Sequence, residues 1–216
     1  MLLGRILEEA LARVVAPSRC AACDSDVPHG TAFCRACAST LTRPQERDAN
    51  HVAAFVYGGA IAQAIVRMKY EGRSDLARPL AAALQRAGRV LLGDAPEVVV
   101  PVPQHPRRLI ERGFNPAALL ARPVAKDLCA TFSPEGLSRA ADRQPQATLD
   151  RSTRLTNVEG AFEVCRPHFI RRRRLLVVDD VRTTGATLSA CAKVLLEAGA
   201  HDVRTLVLAQ AARAQT

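Results

Sequence analysis

Two adjacent carboxylates, Asp179 and Asp180, follow a short apolar run in the last quarter of the chain. The run over residues 174–178 predicts a buried strand, and residues 184–199 predict a helix. Open α/β sheets bind ligands at the carboxyl ends of their strands, so the acids are expected at a ligand site. A carboxylate accepts hydrogen bonds, and the pair suits the vicinal hydroxyls of a ribose.

The segment after the acids carries groups that suit a phosphate. Thr183, Thr184 and Thr187 supply hydroxyls at the start of the expected helix, and Gly185 lets the backbone come close to a ligand. Backbone N–H groups at a helix start favour a dianionic phosphate. A capped helix after an acid-ended strand is the simpler alternative, but it accounts for fewer of these coinciding features. The Gly-x4-Gly-Lys pattern of a P-loop is missing from the sequence.

Four cysteines near the beginning of the chain have the spacing of a metal site. Cys20-x2-Cys23 and Cys34-x2-Cys37 are separated by ten residues, and two such pairs bring four thiolates to one tetrahedral centre. We expect one structural zinc ion, with a disulfide pair or a redox site as alternatives. His29 is a conceivable substitute ligand, although a histidine at a loop tip usually faces solvent. The other cysteines are expected to be free thiols: Cys129, Cys165 and Cys191.

Strands and helices alternate along the rest of the chain, which predicts a doubly wound, mostly parallel α/β sheet. Strands are expected over residues 51–57, 97–102, 174–178 and 202–209, and helices over residues 61–70, 77–92, 115–129 and 184–199. Pro123 should kink the third of these helices or end it early.

A polar connector over residues 43–48 predicts the domain boundary. We expect residues 1–46 to hold a helix, over residues 2–15, and the four-cysteine ribbon. Residues 47–216 would form the α/β domain.

The charge distribution favours an anionic partner. The chain of 216 residues has a net charge of +9, and residues 101–174 alone carry +7; 27 of its 30 basic residues are arginines. Arginine binds phosphate through a bidentate fork, although a solvated surface or codon bias also explains such a composition.

No apolar run approaches the roughly 18 residues of a membrane helix. Because Glu8, Glu9 and Arg13 do not suit a secretory signal, we expect a cytoplasmic protein without membrane insertion.

Several stretches of the sequence resemble a known family. Residues 175–188 look like the phosphoribosyl-pyrophosphate (PRPP) binding motif of type I phosphoribosyltransferases. Three further stretches narrow the resemblance: Pro101-Val102-Pro103 through Arg107, Arg108 and Arg112-Gly113-Phe114-Asn115; Arg143-x2-Gln146 with Arg154-x2-Asn157; and Lys69-Tyr70-x-Gly72-Arg73. With the four-cysteine ribbon, the chain is similar to the ComF family of competence-associated proteins. Pro116 departs from that family, which usually has Gln after Gly-Phe-Asn.

The resemblance implies a function and a set of site residues. Asp179 and Asp180 would hold the ribose hydroxyls and, with Arg112, act in catalysis, while Mg²⁺ would bridge pyrophosphate and ribose oxygens. The loop over residues 183–187 would hold the 5′-phosphate. Together with Arg107 and Arg108, which would contact the pyrophosphate, the loop residues complete the set that would bind the phosphates of PRPP: Thr183, Thr184, Gly185, Ala186 and Thr187.

Three functions remain open from the sequence. Thr183 stands where purine-salvage relatives place an Asp, so the loop supplies no obvious general base. The first function is phosphoribosyl transfer to an unidentified acceptor. The second is the handling of single-stranded DNA with the competence machinery, although an aromatic content of 4% weighs against a stacking platform. The third is PRPP sensing without turnover. The arginines at 171–174 are either a DNA-facing patch or a solvated lead-in to a strand.

Overall fold

The computed structural model describes residues 18–45, 48, 50–91, 95–139 and 160–212. The helix expected over residues 2–15, the boundary between residues 46 and 47, and the motif residues from 143 to 157 lie outside this part of the chain. The division into two domains therefore stays a prediction.

The described elements alternate as the sequence predicts. The helices are α1 (Arg35–Ala38), α2 (Gly59–Tyr70), α3 (Ala77–Leu91), α4 (Pro106–Arg112), α5 (Pro116–Asp127), α6 (Pro167–Ile170) and α7 (Ala186–Glu197), with a 3₁₀ turn at Ser74–Leu76. The strands are β1 (His51–Val56), β2 (Val98–Pro101), β3 (Thr131–Phe132), β4 (Leu137–Arg139), β5 (Phe162–Val164), β6 (Arg174–Arg182) and β7 (Asp202–Gln210).

Five of these strands form one parallel sheet in the order β1-β7-β6-β2-β3. Strands β4 and β5 pair antiparallel beside it. The central strand β6 is buried on both faces: Leu176 and Val178 pack with α2, α3 and α5, whereas Leu175 and Val177 pack with α7 and the β4–β5 pair. This confirms the predicted α/β fold with a parallel sheet and helices on both faces.

Strand β6 is longer than the sequence predicts, because it continues through both acids to Arg182. Its pairing with β7 extends to Arg182 opposite Gln210, whereas its pairing with β2 stops at Val178 opposite Pro101. The apolar run shows only where β6 is buried, while backbone pairing with β7 sets where the strand ends. Beyond Val178, β2 no longer pairs with β6, and a cavity opens beside this part of the strand.

Helix α5 runs through Pro123 to Asp127, so the expectation that this proline ends the helix early is wrong. A proline removes one backbone donor from a helix, but Leu120, Ala121 and Val124 on either side are buried in the core. The carbonyl of Pro123 accepts a hydrogen bond from Gln85 Nε2 at 2.9 Å. Packing on both sides of the proline thus holds the helix together.

Within the described ranges, no helix is both long enough and apolar enough to cross a bilayer.

Candidate functional site

The four cysteines of the two Cys-x2-Cys pairs meet at one point. The sulfurs of Cys20, Cys23, Cys34 and Cys37 all lie within 4.8 Å of one another, and those of Cys23 and Cys34 are 3.8 Å apart. Four sulfurs at about 2.3 Å from a tetrahedral zinc ion lie about 3.8 Å apart, so this cluster can hold one metal ion. His29 is not part of it, and its Nδ1 lies 3.1 Å from the hydroxyl of Ser18.

Backbone and hydroxyl donors around the sulfurs favour thiolates. The amide of Cys34 donates to Cys20 Sγ at 3.3 Å, and the amide of Cys37 donates to Cys34 Sγ at 3.4 Å at the start of α1. The hydrogen bond with the Ser25 hydroxyl is the largest cause that lowers the pKa of Cys23 to about 6. Burial instead raises the pKa of Cys37.

The cysteine cluster is tied to helix α2 by charged groups. Asp24, between the two cysteine pairs, forms ion pairs with Arg67 and Arg73, the second at 3.0 Å. Arg67 also donates to the carbonyl of Ala21 at 3.3 Å. The hydrogen bond from Arg67 is the first cause that holds the pKa of the Asp24 carboxyl below its usual value. The end of α2 is thereby fixed against the cysteine cluster.

A cavity of about 360 Å³ lies where β6 extends past the end of β2. Its walls come from the end of α2, the segment from Val102 through α4 to Pro116, strands β4 and β6, and the first turn of α7. The polar groups that line it are Lys69, Gln104, His105, Arg108, Arg112, Asn115, Arg139, Asp179, Asp180 and Thr187. Two carboxylates and four cations with long side chains thus face one space.

The two acids of the cavity occupy different environments. Lys69 Nζ lies 2.6 Å from Asp180 Oδ1, and only 20% of the lysine side chain and 10% of the aspartate side chain are exposed. Asp179 accepts a hydrogen bond from the backbone N–H of Asp180 at 2.8 Å. Burial, with the Asp180 carboxylate adding to it, raises the pKa of Asp179 to about 8, and Lys69 partly opposes this rise. A bound ligand therefore meets one paired carboxylate and one that ionises with difficulty.

Arg112 is held at the cavity by two contacts. It donates to Gln104 Oε1 at 3.2 Å, and its guanidinium carbon lies 5.2 Å from the centre of the Tyr70 ring. The contact with Arg112 fixes the orientation of the Gln104 amide. The other end of that amide, Nε2, is buried and has no hydrogen-bond partner among the described residues. A buried N–H donor without a partner costs free energy, so Gln104 Nε2 is a candidate to donate a hydrogen bond to a bound ligand.

The structure brings together only part of the predicted site. Asp179, Asp180, Arg108, Arg112 and Thr187 line the cavity. The side chain of Arg107 is 84% exposed and lies 3.9 Å from Glu111 on the same helix. The remaining predicted residues form the loop before α7 and its first residue, without lining the cavity: Thr183, Thr184, Gly185 and Ala186.

That loop has a conformation that requires its glycine. Gly185 has φ +86° at the N-terminus of α7, and a Cβ atom there would lie 2.8 Å from Arg182 Nε. The left-handed backbone disfavours any side chain here, and the Arg182 guanidinium would have to shift to admit a Cβ atom. Thr183 and Thr184 are exposed on this loop. Their roles, like those of the other predicted site residues, stay predictions.

Sequence reasoning assigned no role to several polar residues of the cavity, among them Lys69, Gln104 and Arg139. Lys69 belongs to the stretch Lys69-Tyr70-x-Gly72-Arg73, on which the family resemblance partly rests, and its place in that stretch was the available signal. Gln104 follows directly on Pro101-Val102-Pro103, in the segment that leaves the sheet. Arg139, which lies over the ring of Phe162 at 5.6 Å, sits on a strand of three residues that no periodicity indicates.

The arginine run before β6 is largely structural. Arg173 Nη1 lies 2.8 Å from Glu97 Oε1, and Arg174 Nε donates to the carbonyl of Ala95 at 3.0 Å. The run lies at the start of β6, whereas the acids and the cavity lie near its end. These contacts favour the interpretation of the arginine run as a solvated segment at the start of the strand, and not as a DNA-facing patch.

Known structures give only weak similarities. The allosteric regulatory enzyme of purine biosynthesis has a TM-score of 0.47 and 17% identity, over 66% of this chain and 29% of that one. The purine phosphoribosyltransferase of Pyrococcus horikoshii has a TM-score of 0.37 and 16% identity, over 62% of this chain and 71% of that one. The fold assignment therefore rests on the parallel sheet itself.

Sequence relatives are more informative, although no family model matches the chain. DNA utilization protein YhgH of Escherichia coli K12 is 31% identical over 156 residues, which cover 70% of this chain and 68% of that protein. Competence protein F of Haemophilus influenzae is 31% identical over 152 residues, covering 68% and 66%. Competence protein ComFC of Streptococcus pneumoniae is 30% identical over 164 residues, covering 74% and 67%. Because this similarity extends over most of each protein, the chain belongs to the ComF family of competence-associated proteins.

Proposed function

We propose that this protein binds PRPP with Mg²⁺ in the cavity and transfers its phosphoribosyl group to an acceptor. The observation that carries the proposal is the pair Asp179 and Asp180, which faces the cavity together with Arg108, Arg112 and Lys69. A phosphorylated sugar with a pyrophosphate group needs both kinds of partner, acceptors for its hydroxyls and cations for its phosphates.

The two acids act on the ribose. Their oxygens accept hydrogen bonds from the 2′- and 3′-hydroxyls, and the ion pair with Lys69 holds Asp180 in place. In the transfer step the bond between C1′ and the pyrophosphate oxygen breaks, and pyrophosphate leaves with the electron pair. The acceptor forms the new bond to C1′ and loses its proton to solvent. The Asp180 carboxylate stabilises the positive charge that develops at C1′, so no nucleophile on the protein is required.

The cations act on the pyrophosphate. Arg112 and Arg108 line the same side of the cavity and can donate to pyrophosphate oxygens, while the unpaired amide of Gln104 offers a further donor. When PRPP binds as its Mg²⁺ complex, the ion would supply positive charge that offsets the charge of the leaving pyrophosphate. The loop from Thr183 to Thr187 would receive the 5′-phosphate, with hydroxyls and backbone N–H groups at the start of α7.

We infer that the cysteine cluster holds zinc and has a structural role. Four sulfur ligands complete a tetrahedral shell and leave no open position for a substrate. Through Asp24 and Arg67 the metal site supports the end of α2, which carries Lys69. Thiolate ligands persist in a reducing compartment, and we place the protein in the cytoplasm.

The transfer is tested by pyrophosphate release from Mg²⁺-PRPP with panels of nucleobases, amines and oligonucleotides. We expect release that depends on one class of acceptor and is lost in the Asp179→Asn/Asp180→Asn variant. Asp202→Asn is the matched control, because Asp202 pairs with Arg204 at the start of β7, far from the cavity. Saturable binding without release for any acceptor would overturn the transferase proposal in favour of a PRPP sensor.

A second candidate function is the handling of single-stranded DNA during DNA uptake. It is supported by the names of the relatives, which refer to competence and DNA utilization. It is also supported by the net charge of +7 in residues 101–174, since phosphate contacts dominate nonspecific affinity for nucleic acids. A DNA titration with a steep salt dependence, weakened by Arg107→Ala, would support this role. Affinity that does not change with salt would contradict it.

A further inference from the structure

Tyr70 carries a solvent-exposed aromatic ring at the edge of the cavity. It ends α2 and is 69% exposed, although the chain has only two tyrosines and no tryptophan. Its neighbour Lys69 contacts Asp180, and Arg112 covers part of the ring from 5.2 Å. The ring therefore stands beside the space assigned to the sugar.

The exposure of Tyr70 does not follow from the packing of α2. That helix buries Ile61, Ala64, Ile65 and Met68, and Tyr70 lies outside this stripe. One part of its ring meets a guanidinium that also lines the cavity, and the rest faces solvent. A planar cation stacked on an aromatic ring is a preformed surface for a further flat ring.

The surroundings of Tyr70 carry positive charge that suits a phosphate chain. Helix α4 buries none of its residues, and it presents Arg107 and Arg108 as exposed side chains next to Arg112. The side chain of Arg107 is 84% exposed and lies 3.9 Å from Glu111. Aromatic rings with basic side chains beside them are the combination that binds single-stranded nucleic acids, because bases stack while the arginines meet the phosphates.

We propose that Tyr70 and Arg112 form a stacking platform for a nucleobase of a single-stranded nucleic acid, with the arginines of α4 along its phosphates. The inference rests on the proposed function in one respect, because it places the base beside the cavity that would hold PRPP. Binding of the base itself requires no PRPP. The low aromatic content of the chain is no objection, since a single ring in the right place suffices.

The platform is tested by fluorescence anisotropy with an oligodeoxythymidylate and an abasic phosphodiester oligomer of equal length and charge. The readout is the ratio of the two affinities, which isolates the contribution of the bases. We expect wild-type protein to prefer the base-bearing oligomer by about tenfold, Tyr70→Ala to reduce this ratio to near one, and Tyr70→Phe to retain it. Phe169→Ala is the control, because that exposed ring lies before β6, at the end remote from the cavity.

Three results would overturn the inference: equal affinity of the wild type for both oligomers, an unchanged ratio in Tyr70→Ala, or an equal loss of preference in Phe169→Ala. If thymidine monophosphate binds as tightly as the oligomer, the site recognises a single nucleotide and not a single-stranded nucleic acid, which would also overturn the inference. A parallel titration with Mg²⁺-PRPP keeps the two proposals apart. If the wild type does not bind PRPP but shows a base preference that depends on Tyr70, the proposed function fails and the platform stands.

Discussion

The ion pair between Lys69 and Asp180 gives a prediction with a definite size. In Lys69→Met the carboxylate of Asp180 stays in place, next to Asp179, without its cation. The pair is 2.6 Å long and mostly buried. Removal of one partner from a buried pair costs about 3–5 kcal/mol, and the partial exposure of Lys69 reduces this to an expected loss of roughly 2–3 kcal/mol.

The loss is measured as the free energy of unfolding from urea denaturation at neutral pH, without Mg²⁺ or PRPP. The double variant Lys69→Met/Asp180→Asn should recover most of it, because the buried charge is removed with its partner. A loss below about 0.5 kcal/mol in the single variant would refute this reasoning, since surface ion pairs contribute that little. Failure of Asp180→Asn to restore stability would refute it as well.

Three further predictions concern the cysteine cluster, the loop before α7 and Asp179. Cys37→Ser should lower bound zinc from one ion per chain to none by elemental analysis, and full retention of zinc would contradict the four-sulfur site. Gly185→Ala should cost about 1–2 kcal/mol in urea denaturation, because φ is +86° and Arg182 occupies the space of a Cβ; unchanged stability would contradict that geometry. Asp179 binds a proton more tightly in the folded protein, with a pKa of about 8 against 3.8, so its contribution to stability is lost as the pH rises through this window. Asp179→Asn should flatten that decline in denaturation at several pH values, and an equally steep decline in the variant would count against it.

The sequence predicts the central sheet well because its signals are local. The apolar run before Asp179 marks a strand buried on both faces, and the structure confirms it at the centre of a parallel sheet. The end of that strand was predicted too early, since only pairing with β7 carries it to Arg182. The continuation of α5 past Pro123 was missed for a similar reason, because propensity does not register how well the flanking residues pack.

The site residues differ in the same way: those with a local sequence pattern were predictable, and those brought together only by packing were not. Four cysteines at the right spacing are a strong pattern, and the structure brings their sulfurs together. The partner of Asp180 was not predictable, because Lys69 lies more than a hundred residues away and no spacing rule connects them. Arg139 and Gln104 reach the cavity only through the packing of short elements, for which the sequence has no periodic signal.

The central claim is that the acid pair and its neighbouring cations form a PRPP site, and calorimetric titration with Mg²⁺-PRPP tests it most directly. The wild type and the Asp202→Asn control should bind one PRPP per chain. The Asp179→Asn/Asp180→Asn variant, shown to be folded by circular dichroism, should bind at least tenfold more weakly. Absence of binding by the wild type, or equal affinity in the double variant, would contradict the account.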